Sequence, residues 1–253
     1  MSDPRSMRWL IGLVASCAAC SITETGNPPV IPAQMGLSVS TSDEMRVSIG
    51  GGDGEIVLDQ AWVSLGDVRF VAAADCETGG DGTVHAPGPF VADLAAASSV
   101  IDFEIAAGDY CAVRVPLLQT QPPLPSGAPA ELSGRSVALL GRRSDGVPLI
   151  VLSRMTPDAD VRSSGEPFSL DRDQPAVLLT FDVSRWFEDV DLDGLEPGPD
   201  GRVSIAEGSN PEQLDRFEEN LENAFRLLRD ADQDGELDSD EEGGELADGD
   251  PSD

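Results

Sequence analysis

The sequence contains no lysine, so all 16 of its basic residues are arginine. The absence of lysine excludes Schiff-base catalysis and phosphate binding through a P-loop lysine. The single histidine, His85, excludes zinc sites that need two or three histidines and relays between paired histidines. The 47 acidic residues give a net charge of −31, which argues against nucleic acid as a partner. A nucleic-acid-binding protein must neutralise phosphates with a basic surface.

The acidic residues are concentrated towards the C-terminus, since residues 187–253 hold 24 of the 47. Residues 34–186 are less acidic and rich in Val, Leu, Ile and Ala, so they can build a hydrophobic core. A length of 253 residues is enough for one medium domain with appendages or for two small domains. Acidity of this density favours a solvated surface, a cation-binding protein, or both.

The first 20 residues have the layout of a secretory signal peptide. Arg5 and Arg8 form a basic beginning, residues 9–15 are apolar, and small residues lead to a cysteine. The apolar run is too short to span a bilayer, which needs about 20 residues. The pattern resembles the lipobox of bacterial lipoproteins, in which the cysteine after the cleavage site carries the lipid. Cys20 is the preferred lipidation site and Cys17 the alternative, and an ordinary cleaved signal without lipid is the simpler hypothesis.

Residues 21–33 are polar and rich in proline, so we predict an extended tether between the lipid and the domain. Neither cysteine is next to Asp, and resemblance to the lipoprotein sorting pattern then favours the outer membrane. We therefore expect an anchored lipoprotein in the cell envelope of a Gram-negative-type bacterium. In that oxidising compartment Cys76 and Cys111 are predicted to form a disulfide. A reactive or metal-binding thiol pair is the alternative.

Residues 34–187 show the alternating pattern of β-strands between Gly- and Pro-rich turns. Ile101, Phe103 and Ile105 alternate with acidic residues, and the same period recurs in residues 177–183. No helical repeat long enough for a βαβ crossover lies between these strands. The sequence therefore predicts a mainly β protein with an antiparallel β-sandwich at 34–187, a barrel being the alternative.

Three short motifs in this region resemble a family of bacterial lipoproteins known only by a domain of unknown function. The matching residues are Trp62, Leu65 and Val68, then Gly108 and Tyr110, then the strand Val177–Val183 followed by Trp186. The resemblance covers residues 34–187. It implies a β-sandwich and no established activity.

Residues 230–241 fit the loop of an EF-hand at each diagnostic position. Ca²⁺ is a hard cation that takes six to eight oxygen ligands, which this loop supplies from side chains and one backbone carbonyl. The predicted ligands, in loop order, are Asp230, Asp232, Asp234, Glu236 through its carbonyl, Asp238 through water, and Glu241 with both oxygens. Gly235 permits the sharp turn. The alternative is an acidic tail without an ion.

A helix is predicted before this loop, with Asn210 as its cap and Pro211 at its first position. Apolar residues follow at three- and four-residue spacing and form one face: Leu214, Phe217, Leu221, Ala224, Phe225 and Leu228. No apolar periodicity follows Glu241, so the hand has an entering helix and no exiting one. Residues 242–253 are predicted to be an acidic, disordered tail.

A second, weaker calcium loop is predicted upstream of the helix. Asp189, Asp191 and Asp193 have the spacing of the first three ligands, and Asp200 stands where the last is expected, although Pro197 replaces a ligand. Residues 188–241 are therefore predicted to form a calcium loop, a helix and a calcium loop. Two such loops around one helix resemble dockerins, which bind a partner module, but the helix after the second loop is missing.

The preferred function is an exported, lipid-anchored Ca²⁺-binding protein with a structural or partner-binding role and no catalysis. Its expected partners are the membrane, through the N-terminal lipid, and an envelope protein or a glycan. Two alternatives stay open: a carbohydrate-active enzyme that uses a pair of carboxylates, and an adhesion module that binds glycans or peptides. Two carboxylates facing each other across a cleft would favour the enzyme.

Overall fold

The structure is a computed structural model that describes residues 28–39, 46–49, 54–76, 82–96, 99–238, 241 and 243–249. The strands of these residues are Val30–Val39 (β1), Arg46–Ile49 (β2), Gly54–Leu65 (β3), Val68–Ala72 (β4), Thr83–Ala86 (β5), Phe90–Asp93 (β6), Ser99–Ala106 (β7), Gly108–Pro116 (β8), Val137–Arg143 (β9), Pro148–Ser153 (β10), Asp158–Arg162 (β11), Phe168–Leu170 (β12), Ala176–Phe181 (β13), Val203–Ile205 (β14), Phe225–Arg229 (β15) and Glu245–Asp248 (β16). The α-helices are Val183–Trp186 (α1) and Pro211–Glu222 (α2), and short 3₁₀ turns lie at Ala73–Asp75 and Ala130–Leu132.

The strands form two sheets that pack into a sandwich. Within the described ranges the larger sheet has ten strands in the order β5-β4-β8-β11-β16-β15-β13-β1-β7, with β12 on β8. The smaller sheet has six, in the order β14-β10-β9-β3-β2, with β6 on β3. The mainly β prediction is confirmed. Two strand pairs, β1 with β13 and β10 with β14, are parallel, so the sheets are not antiparallel throughout.

The core between the sheets follows from the alternation along the strands. In β7, Ile101, Phe103 and Ile105 are buried while Asp102 and Glu104 are exposed, as expected for a strand with one face towards the core. β13 differs, because all six of its residues are buried. β13 is therefore covered on both faces.

The C-terminal helix is shorter than the sequence predicts. α2 ends at Glu222, and residues 225–229 form β15, which pairs with β13 along its length. The helical face packs inward, with the ring of Phe217 6.1 Å from that of Trp186. The predicted extension to Leu228 is wrong because this segment completes the larger sheet instead.

The start of α2 is tied to its surroundings by two amide side chains. Asn210 occupies the N-cap position, but its side chain donates to the carbonyl oxygen of Ser204 (2.8 Å) and makes no capping bond. Gln213 accepts from the backbone N–H of Asp191 (2.8 Å). These bonds connect the start of the helix to β14 and to the segment where the second calcium loop is predicted.

The C-terminal segment is part of the sandwich. β15 pairs with β13, and β16 pairs with β15 and with Arg162 of β11. The predicted boundary between residues 34–187 and 188–241 therefore divides one sheet.

Two predicted unstructured segments also need correction. β16, Glu245–Asp248, lies in the predicted disordered tail 242–253. β1 begins at Val30, inside the predicted tether 21–33. Both strands are held by pairing with other strands of the larger sheet. Because those partners lie elsewhere in the sequence, the residues of the two strands carry no local sign of that pairing.

Candidate metal centre

The predicted calcium loop begins directly at the end of a central strand. β15 ends at Arg229, whose backbone is paired with Val177 of β13, and Asp230 follows. The chain then passes through Glu241 to β16. The first predicted ligand is therefore attached to a fixed point of the larger sheet.

Three carboxylates of this loop lie together. One oxygen from each of Asp230, Asp232 and Asp234 lies within 4.8 Å of the other two. Asp230 accepts from the backbone N–H of Gln233 (2.6 Å) and, with its second oxygen, from that of Gly235 (3.1 Å). These bonds curl the chain around the Asp230 side chain. The three aspartates form a group that could hold a metal ion.

Glu241 closes the loop from its other end. Its carboxylate accepts from the backbone N–H of Ala231 (2.5 Å) and from that of Asp238 (3.3 Å). Glu241 and Asp230 are each only 4% exposed. Buried carboxylates are costly unless donors or cations surround them. The backbone hydrogen bonds of the loop therefore stabilise these buried negative charges.

The surroundings of Asp230 disfavour its charged form. Burial raises the pKa of Asp230 above its ordinary value, and the negative charges of Glu241 and Asp232 raise it further. The hydrogen bonds from Gln233 and Gly235 oppose this rise. A bound dication would replace the repulsion by attraction.

The other two predicted ligands have exposed side chains. Glu236 donates its backbone N–H to Asp234 (2.8 Å), which orients that carboxylate. The carbonyl oxygen of Asp238 accepts from the N–H of Glu241 (3.0 Å). Both residues shape the loop, and a role as ligands stays a prediction.

Gly235 lies on the outer face of the larger sheet. Its φ of +78° is left-handed, which glycine adopts without strain. A Cβ on Gly36 of β1 would lie 2.8 Å from the carbonyl oxygen of Gly235 and 2.9 Å from its Cα. A Cβ on Gly235 would lie 2.5 Å from Cγ2 of Val100 on β7. Because Gly36 pairs with Val100, the loop rests on the β1–β7 pair.

This contact also covers the outer face of β13. The neighbours of Leu178 in β13 point into the main core, so Leu178 points to the opposite face, yet it is fully buried. Leu178 pairs with Gly36, and its Cδ2 lies beside the point where Gly235 rests. Sequence analysis missed both Gly36 and Val100. A glycine inside a strand pattern was the available signal, since it often marks a close approach of backbone.

The second predicted calcium loop does not gather its carboxylates. Val190 and Leu192 are buried in the main core, so the alternating Asp189, Asp191 and Asp193 are exposed. Among the residues that the structure describes, they form no group of three with metal-ligand spacing. The aspartates of this segment alternate with apolar residues that are buried in the core, and this alternation is what resembles a metal-binding loop.

Arginine side chains occupy the acceptors of that segment. Arg143 donates through Nη1 to the carbonyl oxygens of Leu192 (2.7 Å) and Leu195 (2.9 Å). Asp200 accepts from Arg202, and this hydrogen bond holds the pKa of Asp200 below its ordinary value. Asp200, the predicted last ligand of this loop, is therefore paired with an arginine.

Cys76 and Cys111 form the predicted disulfide, with a Cα–Cα distance of 6.1 Å. The bond joins the turn after β4 to β8. It lies where the register shifts, because Val71 pairs with Ala112 while the next residue of β4 pairs with Tyr110. Cys111 is thus the extra residue of a β-bulge, and the disulfide holds the two strands there.

The predicted signal peptide (1–20), its lipidation sites Cys20 and Cys17, and residues 21–27 of the tether lie outside the described residues. None of the helices in the described ranges has the length and apolar character needed to cross a membrane. The lipid anchor and the envelope location stay predictions.

Acidic side chains also line a cleft of about 710 Å³ between the end of β10 and α2. Its acids are Glu207, Asp215 and Glu218. Arg154 lies 3.2 Å from Glu207, and Ser153 donates to Glu218 (2.5 Å). Burial raises the pKa of Glu218, and the charges of Asp215 and Glu207 raise it further. Glu218 is therefore the acid on which the enzyme alternative depends.

Glu218→Gln is expected to raise the melting temperature at pH 7. A raised pKa means that the ionised carboxylate destabilises the fold, so this cost appears as pH rises through the folded-state pKa. Gln keeps an oxygen for the bond from Ser153 and carries no charge. Thermal melting from pH 4 to pH 7 should show a difference from wild type that vanishes below the ordinary value of 4.5. The exposed Glu219→Gln is the matched control and should show no such trend.

Comparison with protein-family models and with curated protein sequences gives no match. Among solved structures the chain is similar to MbnP from Methylosinus trichosporium, with 13% sequence identity and a TM-score of 0.40. The match covers 68% of this chain and 83% of that chain. A likeness of this size supports no inference about the chain's activity, so its function rests on its own residues.

Proposed function

We propose that the protein is an exported, membrane-anchored Ca²⁺-binding protein in which the ion has a structural role. The observation that carries this proposal is the group formed by Asp230, Asp232 and Asp234, whose carboxylate oxygens lie within 4.8 Å of one another. Glu241 adds a fourth carboxylate that is buried at the same loop. The charges acting on Asp230 from Glu241 and Asp232 are negative, so a bound cation would offset their repulsion.

The chemistry of the loop favours Ca²⁺ over other metals. All candidate ligands are oxygens, which suit hard cations and not the softer metals that prefer thiolate or imidazole. Mg²⁺ demands near-ideal octahedral geometry and keeps several waters, whereas Ca²⁺ accepts a flexible shell of six to eight oxygens. A loop that combines aspartates, a carbonyl and a glutamate at its end provides such a shell.

The bound ion would stabilise the connection between β15 and β16. It would offset the repulsion between Asp230 and Glu241, which stand at the two ends of the loop. It would also hold Gly235 against the β1–β7 pair, where the loop covers Leu178. The ion thereby supports the larger sheet from outside the main core.

We extend the proposal to location and partners. The lipobox-like cysteine Cys20, or Cys17, would anchor the chain to the outer membrane, and the disulfide supports an oxidising compartment. The β domain would bind an envelope protein or a glycan. A high negative charge keeps such a domain soluble beside its membrane.

Ca²⁺ is expected to raise the melting temperature of the wild-type protein relative to EDTA. Extracellular calcium modules bind with Kd on the order of 0.1–1 mM. At about 10 mM Ca²⁺ this linkage stabilises the fold by about 1.4–2.7 kcal/mol. For a chain of this size the melting temperature should then rise by about 3–10 °C. Calorimetry or circular dichroism in Ca²⁺, Mg²⁺ and EDTA measures the effect.

Asp191→Asn with Asp193→Asn is the matched control for this experiment. It removes two exposed carboxylates from the second acidic segment and leaves the 230–241 loop intact. The Ca²⁺-dependent rise should persist in this variant, and Mg²⁺ should have a smaller effect than Ca²⁺. If the wild-type protein melts at the same temperature in Ca²⁺ and in EDTA, the proposal is wrong.

A carbohydrate-active enzyme is the second candidate, because Glu218 has a raised pKa in a cleft that it shares with Asp215. A general acid needs such a pKa. Hydrolysis of a glycan panel by the wild type and by Glu218→Gln tests this candidate. Turnover that Glu218→Gln abolishes would favour it, and no turnover by the wild type would leave only the binding roles.

A further inference from the structure

We propose that Gly36, on the N-terminal strand β1, is a positioning residue of the calcium loop. This inference rests on the proposed function, and it makes metal affinity depend on a residue that belongs to another part of the chain. Gly36 would act through Gly235, whose backbone N–H holds a carboxylate oxygen of Asp230.

The first step is the reason for a glycine at this place. Glycine inside a strand is destabilising relative to alanine, and it often marks a place where backbone or ligand approaches closely. Gly36 has no left-handed φ that would require glycine. Space is the constraint, since a Cβ would lie 2.5 Å from Cδ2 of Leu178, 2.8 Å from the carbonyl oxygen of Gly235 and 2.9 Å from its Cα. The Leu178 atom is the end of a side chain, whereas the two Gly235 atoms belong to the backbone and cannot rotate away.

The second step connects Gly235 to the candidate ligands. Gly235 is buried, and its N–H donates to Asp230 at 3.1 Å. A displacement of Gly235 from β1 moves this donor away from a carboxylate that is only 4% exposed. Asp230 then loses the bond that orients one of its oxygens. Because Asp230 is one of the three carboxylates gathered within 4.8 Å, a change in its orientation should loosen the group.

The third step is reciprocal. If the seating of Gly235 on Gly36 increases metal affinity, the metal must stabilise the docking of β1 by the same free energy. β1, Val30–Val39, begins inside the segment predicted as the tether. An ion bound near the C-terminus would thereby hold the anchored strand in the larger sheet.

The test is calorimetric titration of the purified protein with Ca²⁺, with melting in EDTA measured in parallel. Gly36→Ala should weaken Ca²⁺ binding by about tenfold or more, because its methyl group occupies the place of Gly235. Gly108→Ala is the matched control, since a Cβ there meets nothing within 4 Å, and it should bind like the wild type. Val100→Ala removes the methyl group beside Gly235 from a residue that is 44% exposed, so it should fold and bind more weakly than the wild type.

A purely structural role would lower the melting temperature of Gly36→Ala in EDTA and leave its Ca²⁺ affinity unchanged. That result would overturn the inference while the proposed function stands. Absence of Ca²⁺ binding by the wild type would instead overturn the proposed function. If Gly36→Ala does not fold, the Ca²⁺ affinity of Val100→Ala tests the inference instead. A wild-type affinity in that variant contradicts the inference. Hydrogen exchange adds a separate readout: amides of β1 should exchange more slowly with Ca²⁺ in the wild type, and this slowing should be lost in the weak-binding variants.

Discussion

Replacing Asp230 and Glu241 with alanine is expected to abolish the rise in melting temperature that Ca²⁺ causes in the wild type. Asp230 supplies one of the three gathered carboxylates, and Glu241 closes the loop on them. Of the three gathered carboxylates, only the exposed ones of Asp232 and Asp234 would then remain for a dication, and exposed charge pairs contribute little. Melting in Ca²⁺ and in EDTA measures the loss directly.

The double alanine variant also weakens the metal-free loop, so an isosteric variant is needed beside it. The side chains of Asp230 and Glu241 accept four backbone N–H bonds. A buried donor left without a partner costs about 1–3 kcal/mol. The melting temperature of the double alanine variant should therefore fall in EDTA as well.

Asp232→Asn with Asp234→Asn separates the two effects. Both side chains are exposed, and asparagine keeps the oxygen of residue 234 that accepts from Glu236. The variant should melt in EDTA close to the wild type, while its Ca²⁺ affinity falls about a hundredfold because ligand charge tunes affinity. A Ca²⁺-dependent rise of wild-type size in both variants would show that the ion binds elsewhere.

The strands of the sandwich follow largely from local pattern, but the place of the C-terminus does not. Residues 221–228 carry apolar side chains at helical spacing, and the last of them also alternate as a strand. The same residues therefore fit a helix and a strand. Pairing with β13 selects the strand over the helix, since the backbone of β13 pairs with Phe225–Arg229. The sequence of this segment contains no sign of that partner. The same holds for β16, whose sequence is acidic and short and becomes a strand by pairing with β15.

The two acidic loops show what a motif match contains and what it lacks. Both have aspartates at alternate positions followed by glycine. In the first, the side chain of Asp230 is buried and draws the backbone of the loop around itself. In the second, Val190 and Leu192 are buried and turn the aspartates outward. The sequence pattern gives the ligand types, while the residues buried between them decide whether the ligands meet.

The outer face of the larger sheet explains why a loop rich in charge can be held firmly. Leu178 and Leu228 pair with each other and are fully buried, although neither belongs to the main core. Gly36 makes room for Gly235 beside Leu178. Apolar residues buried outside the main core thus help to hold the candidate metal loop. Their link with the carboxylates becomes visible only when the packing of the strands is known.

Cys76→Ser combined with Cys111→Ser is expected to destabilise the protein by about 4 kcal/mol. The two residues are separated by 35 positions, and a crosslink over a loop of this length removes about that much conformational freedom from the unfolded chain. The native strands also lose support, because Cys111 lies in a bulge where β4 and β8 shift register. The melting temperature should fall by about 8–16 °C in thermal melting without reductant.

Reductant provides the internal control for this prediction. It should lower the melting temperature of the wild type to that of the double serine variant and leave the variant unchanged. The Ca²⁺-dependent rise should persist in the variant, since the disulfide joins β4 to β8 while the candidate metal loop follows β15. Loss of the disulfide with a change of less than about 2 °C would mean that strand pairing alone fixes the bulge. Two independent supports are thus expected, a covalent one at Cys76–Cys111 and an ionic one at residues 230–241, whose separate removal should give additive losses because they share no side chain.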